Sequence, residues 1–131
     1  MQPIPASYRD LLGAEFATLA TVGTSGRPQQ STVWFLAEGD EVRLSLNDSR
    51  QKTINLQHNP AVSVLVTDPT TNYRYLELRG RAKVEPDPDY VFADKVGAKY
   101  GADLRQHDRP GEHRVVVTIA AERARGVDMR G

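Results

Sequence analysis

The chain has 131 residues, 39% hydrophobic and 26% charged, a balance that suits one folded domain with a real core and leaves little room for extended disorder. Lys and Arg number 17 and Asp and Glu 17, so the formal net charge is zero and a polyanion such as nucleic acid is disfavoured as the main partner. The absence of cysteine excludes a disulfide framework, a thiolate nucleophile and zinc-finger spacing; with no basic-apolar leader at the start and no apolar run near the roughly 18 residues of a membrane span, a cytoplasmic protein that needs no membrane is expected.

Ser7 with Asp10 three residues on predicts a short helix that places Tyr8, Leu11 and Leu12 on one face, as a lid or brace. From Phe16 the period changes to two. "FATLATV" predicts a strand, "TSGR" before Pro28 a turn, and "PQQSTVWFL" the returning strand of a hairpin. After a tight turn at Glu38, Gly39 and Asp40, a third strand sets Val42, Leu44 and Leu46 against Arg43, Ser45 and Asn47. A two-turn helix follows from Arg50 to His58, capped by Asp48 or Ser49 and ended by Asn59-Pro60, since a residue before proline is pushed out of the helical region.

A fourth strand is predicted from Val62 to Thr67, and "YRYLELRGRAKVE" carries the longest alternation in the chain, with Gly80 marking a bend or bulge. "PDPD" then starts a second helix, with Asp87 as cap, Pro88 at the first helical position, and Phe92, Val96 and Tyr100 along one side. "GADLRQHDRPGEH" reads as a surface loop, and "RVVVTIAAERAR" as a last strand with Val115, Val117, Ile119 and Ala121 on one face. Six strands interrupted by helices only twice do not fit a doubly wound parallel sheet. A small antiparallel barrel with helical caps is expected, because closure removes the edges that valine-rich strands would otherwise expose.

Two cations, Arg50 and Lys52, stand where the third strand hands over to the first helix. A helix N-terminus attracts anions, so the pair is either a phosphate grip or two solvated surface charges. Residues two apart do not share a helical face, so both reach one group only if Arg50 sits at or before the cap. His58, His107 and His113 show no ligand spacing, and no metal is expected. Ser31 and Ser45 lack the G-x-S-x-G context of a hydrolase nucleophile. Trp34 is read as core or dimer interface ahead of a ligand platform, and Tyr73, Arg74 and Tyr75 either line a cleft or pack. With no evident acid, base or nucleophile, any chemistry would be borrowed from a cofactor.

Three segments together resemble the flavin- and deazaflavin-dependent split-barrel proteins, the superfamily that includes pyridoxamine 5'-phosphate oxidase. They are "FATLATVGTSGRPQQSTVWF", "LSLNDSRQKTINLQHNPAVSVLV" and "YRYLELRGRAKV", and the middle one carries the most specific pattern, S-R-x-K-x-x-N-L-x-x-N-P. The resemblance implies a homodimer of six-stranded antiparallel split β-barrels with cofactor sites between the protomers. On that pattern Gln29, Ser31, Val33 and Ser45 line the cleft beside the ring, Arg50, Gln51, Lys52 and Thr53 take the phosphate, and Tyr73 comes near the ring or substrate. The short chain is most similar to the group that uses coenzyme F420, which implies a reductase passing a hydride from the reduced deazaflavin to a small conjugated acceptor. The end "ERARGVDMRG" lacks the Arg and His motif of the pyridoxamine phosphate oxidases proper. An FMN-dependent oxidoreductase and a carrier that binds cofactor without turnover stand as the alternatives.

Overall fold

The alternation of branched apolar and polar side chains is realised as strands in the predicted segments, except at Phe16, Trp34, Phe35 and Tyr73, which lie outside them. The computed structural model describes residues 2–131. In chain order it has β1 (Ala17–Val22), β2 (Pro28–Val33), β3 (Leu36–Glu38), β4 (Glu41–Asn47), α1 (Gln51–His58), β5 (Ala61–Thr67), β6 (Arg74–Pro86), α2 (Val91–Tyr100) and β7 (Arg114–Asp128), with short 3-10 helices at Ala6–Gly13 and Leu104–His107. All strand pairs are antiparallel, in the order β2-β1-β5-β6-β7-β4-β3.

Seven strands replace the expected six, because "PQQSTVWFL" breaks at Trp34 and Phe35. The two pieces lie at opposite edges of the sheet: Val33 pairs with Ala17 of β1, and Leu36 pairs with Arg43 of β4. Three residue steps reach only about 11 Å, so the two edges must curl toward each other. This crossover turns the sheet into a half-barrel. Phe35 is fully buried there, and its backbone is satisfied by α2 in place of a ladder. Its N–H lies 3.1 Å from the Tyr100 hydroxyl, and its carbonyl accepts from Lys99 Nζ at 2.8 Å.

The inward positions of the strands form one core: Leu19, Val42, Leu44, Val64, Val66, Leu76, Leu78, Val117 and Ile119 are at most 1% exposed. Truncating a buried leucine such as Leu44 to alanine would cost about 2–5 kcal/mol. Gly80 sits at a bulge, where Arg79 pairs with Arg123 and Gly80 with Ala121, so Glu122 has no partner. A Cβ on Gly80 would stand 2.6 Å from the Ala120 carbonyl. The N-terminal 3-10 helix braces the barrel through Leu11, Ile4 just ahead of it joins the same core, and Gly126 leaves the space that the Tyr8 ring fills. A second apolar cluster lies outside the barrel, where Phe92, Ala93 and Val96 of α2 cover Val116.

The helix starts differ from expectation. Helix α1 begins at Gln51 with Arg50 as cap and no side-chain capping bond. Asp48 instead accepts the His113 N–H at 2.9 Å, and the Ser49 hydroxyl faces Glu112 at 2.5 Å. Helix α2 begins at Val91 after Tyr90 in the left-handed region, but the Asp87 carboxylate still accepts from the N–H groups of Phe92 and Ala93.

Candidate functional site

A cleft of about 630 Å³ opens outside the barrel where β2 and β4 end and α1 begins, with Val96 and the segment from Leu104 to Arg114 on its other side. Of the residues that the resemblance assigns to the cofactor, Val33, Ser45, Arg50 and Lys52 border it. Gln29, Ser31, Gln51, Thr53 and Tyr73 stand outside its walls. Three of these five hold α1 in place. Gln51 Nε2 donates to Asn55 Oδ1 at 2.7 Å, Asn55 Nδ2 donates to Thr21 Oγ1 at 3.0 Å, and Thr21 donates to Gln29 Oε1 at 3.1 Å. Thr53, fully buried, donates to the Asn47 carbonyl at 2.8 Å. Tyr73 is 59% exposed ahead of β6.

Because α1 has no side-chain cap, the N–H groups of Gln51 and Lys52 have no acceptor among the described residues, while that of Thr53 is bonded to the Arg50 carbonyl at 3.0 Å. Arg50 caps the helix from the loop side, the one placement from which it and Lys52 can serve a single group. Among the described residues neither cation has an ion-pair or hydrogen-bond partner. Burial, and then the like charge of Arg50, push the Lys52 ammonium below its ordinary 10.5. An exposed Arg50 and a half-buried Lys52, both unpaired among the described residues, flank the helix start, an arrangement that suits a phosphate. Among the described residues the hydroxyls of Ser31 and Ser45 are buried without a hydrogen-bond partner, and of the two Ser45 borders the cleft. A phosphorylated cofactor therefore fits the residues present.

Sequence reasoning gives several walls of the cleft no site role, and ranks Trp34 as core or interface ahead of a ligand platform. Trp34 borders the cleft and stacks on Tyr100, with centroids 4.5 Å apart and planes within 7°. His107 meets Trp34 edge-on at 6.4 Å, and Phe16, Asn47, Arg109 and Glu112 complete the wall. The segment carrying His107 and Arg109 is fixed by a buried ion pair. Arg114 Nη2 and Nε donate to the two oxygens of Asp108 at 2.7 and 3.0 Å, and Tyr90 and Asn47 donate to the same carboxylate. The string "DRPGEHR" is dense in charge, but only the fold shows that it faces Arg50. Among the described residues no group of three His, Asp or Glu converges as a metal site, and no helix is long and apolar enough to cross a membrane.

A family model described as pyridoxamine 5'-phosphate oxidase matches residues 4–128. The chain belongs to that family. Among solved structures, this family member is similar to an F420 reductase, at 34% identity over 93% of this chain and 98% of that one, with a TM-score of 0.81. It is also similar to the Mycobacterium tuberculosis protein Rv2991, at 27% identity, 99% and 86% coverage and a TM-score of 0.78. A heme binding protein from Mycobacterium smegmatis shares the fold at 23% identity over 97% of this chain and 56% of that one, with a TM-score of 0.69. Membership of the pyridoxamine phosphate oxidase-like split barrels supports an oxidoreductase and agrees with the curled antiparallel sheet.

Proposed function

We propose that the protein is an F420-dependent reductase that takes the cofactor phosphate at the start of α1 and acts on a small conjugated acceptor in the cleft. The observation that carries this reading is the uncapped α1 start, where Arg50 and Lys52, unpaired among the described residues, meet a cleft walled by the single tryptophan of the chain. When bound, reduced F420 or FMN supplies a hydride to the acceptor. Arg50 and Lys52 neutralise the phosphate, and the N–H groups of Gln51 and Lys52 donate to it. Thr53 holds the preceding turn through Asn47. Val33, Ser45 and Trp34 shape the wall and keep water from it. Gln29, Ser31 and Tyr73, outside the cleft of one protomer, are assigned to the part of the site that a second protomer would complete. The homodimer and the cytoplasmic location belong to the same proposal.

The likeness to an F420 reductase at 34% identity favours the deazaflavin. FMN is the second reading, since one phosphate grip serves either molecule. The experiment is a titration of the apo protein with F420 and with FMN, followed by Trp34 emission. Tighter binding of F420, with hydride transfer from its reduced form to an electron-poor alkene, is the expected result. Binding of FMN alone would move the protein to the second reading. F420 bound without transfer to any acceptor would leave a carrier.

A further inference from the structure

We propose that the 108–112 loop is an acid-selecting arm of the cleft, in which Arg109 takes a carboxylate carried by the acceptor. The inference rests on the oxidoreductase reading and names its substrate class: flat, conjugated monocarboxylic acids. Arg109 borders the cleft, and among the described residues its guanidinium has no ion-pair or hydrogen-bond partner. Arg105, four residues earlier, is by contrast engaged by Asp94 at 2.5 Å.

The position of Arg109 is built. Asp108 before it is locked by Arg114, Tyr90 and Asn47. The chain then turns through Pro110 and Gly111, and the Glu112 N–H closes the turn on the Arg109 carbonyl at 3.0 Å. Gly111 has φ 87°, the left-handed conformation that the second corner of a type II turn requires. The Glu112 carboxylate returns to the Arg109 N–H at 2.7 Å. The turn fixes the backbone from which the exposed Arg109 side chain reaches into the cleft, and its planar fork matches a carboxylate.

The rest of the wall selects the body of the ligand. Trp34 and His107 offer aromatic surface, while Phe16, Val96 and Leu104 are apolar, so a planar conjugated group is covered on this side. Arg109 offers one positive charge and the Glu112 carboxylate beside it opposes any further anionic charge, so the arm suits a monoanion. Arg50 and Lys52 lie on a different element and belong to the cofactor phosphate.

The test uses cinnamate and its neutral amide as probes of the intact protein, followed by Trp34 emission, with F420 titrated separately. Wild type should bind cinnamate roughly 10- to 100-fold more tightly than cinnamamide, the effect of one charge-assisted contact. Arg109→Ala should abolish the difference, Arg109→Lys should restore part of it, and neither should move F420 affinity or the thermal midpoint. Equal binding of the two probes by wild type would overturn the proposal. So would a preference that survives Arg109→Ala but vanishes in the Arg50→Ala, Lys52→Ala double variant, because the probe would then sit on the phosphate grip. Loss of F420 affinity in Arg109→Ala would also overturn it, by assigning the residue to the cofactor. If wild type bound neither F420 nor FMN yet kept an Arg109-dependent preference for cinnamate, the oxidoreductase reading would fall and the acid-binding arm would stand.

Discussion

Lys52 carries a charge that its surroundings penalise, first through burial and then through Arg50. Only the protonated amine grips a phosphate. Cofactor affinity should therefore fall as pH rises through a Lys52 value below 10.5, earlier than an ordinary lysine would allow. Lys52→Ala should cost about 1.5–3 kcal/mol of binding, with far-ultraviolet dichroism unchanged, and should remove that alkaline decline. Calorimetric titration across neutral to alkaline pH checks both. Asp108 shows the opposite case: burial by itself would raise its carboxyl, but hydrogen bonds from Arg114, Tyr90 and Asn47 outweigh that and hold it below 3.8. A carboxyl lowered on folding stabilises the native state at all pH values above its unfolded value and ceases to do so as pH falls through its folded one. The contribution of Asp108 should persist down to about pH 4 and be lost below it. Asp108→Asn should destabilise by about 3–5 kcal/mol at neutral pH, because it leaves buried Arg114 without its counter-charge. Urea unfolding of both proteins at neutral and acid pH measures the difference.

At the scale of elements, the crossover between β2 and β3 and the seat of α1 govern the site. Lys99 and Tyr100 at the end of α2 satisfy the Phe35 backbone, and Tyr100 also stacks on Trp34. One residue thus supports both the barrel closure and the cleft wall. Tyr100→Phe keeps the stack but leaves the Phe35 N–H buried and unpaired, so a loss of about 1–3 kcal/mol is expected in chemical denaturation. Trp34 emission should shift as well if the wall moves. The seat of α1 depends on the chain from Gln51 through Asn55 and Thr21 to Gln29, which fixes where the open helix start points. The strand alternation and the Arg50–Lys52 pair were legible in the sequence, because side-chain period and helix-start position are local properties. The break at Trp34 was not, since the groups that stabilise it lie some 65 positions on.

At the scale of the whole molecule, the cleft is open on the side where Phe16 stands 48% exposed, and Phe16 also borders a smaller groove with Leu65 and Pro69. Apolar surface at the rim of a binding cleft suits a second copy that closes it. Sedimentation equilibrium at micromolar concentration should give a dimer, and a stable monomer that nevertheless binds F420 with full affinity would show that no second wall is needed.

By itself the sequence determined the alternating strands, the helix after β4, the neutrality that disfavours polyanions and the cationic pair before that helix. These follow from short-range rules: a period of two, a proline stop, a charge count. Tertiary structure alone decided that one apparent strand divides to join the two edges of the sheet, that the expected cap residues turn to His113 and Glu112 and so leave the helix start open, and that Trp34, His107 and Arg109 face the same cleft as Arg50. The reason is distance along the chain, since each of those outcomes depends on hydrogen bonds and packing between residues whose proximity exists only after the sheet has curled.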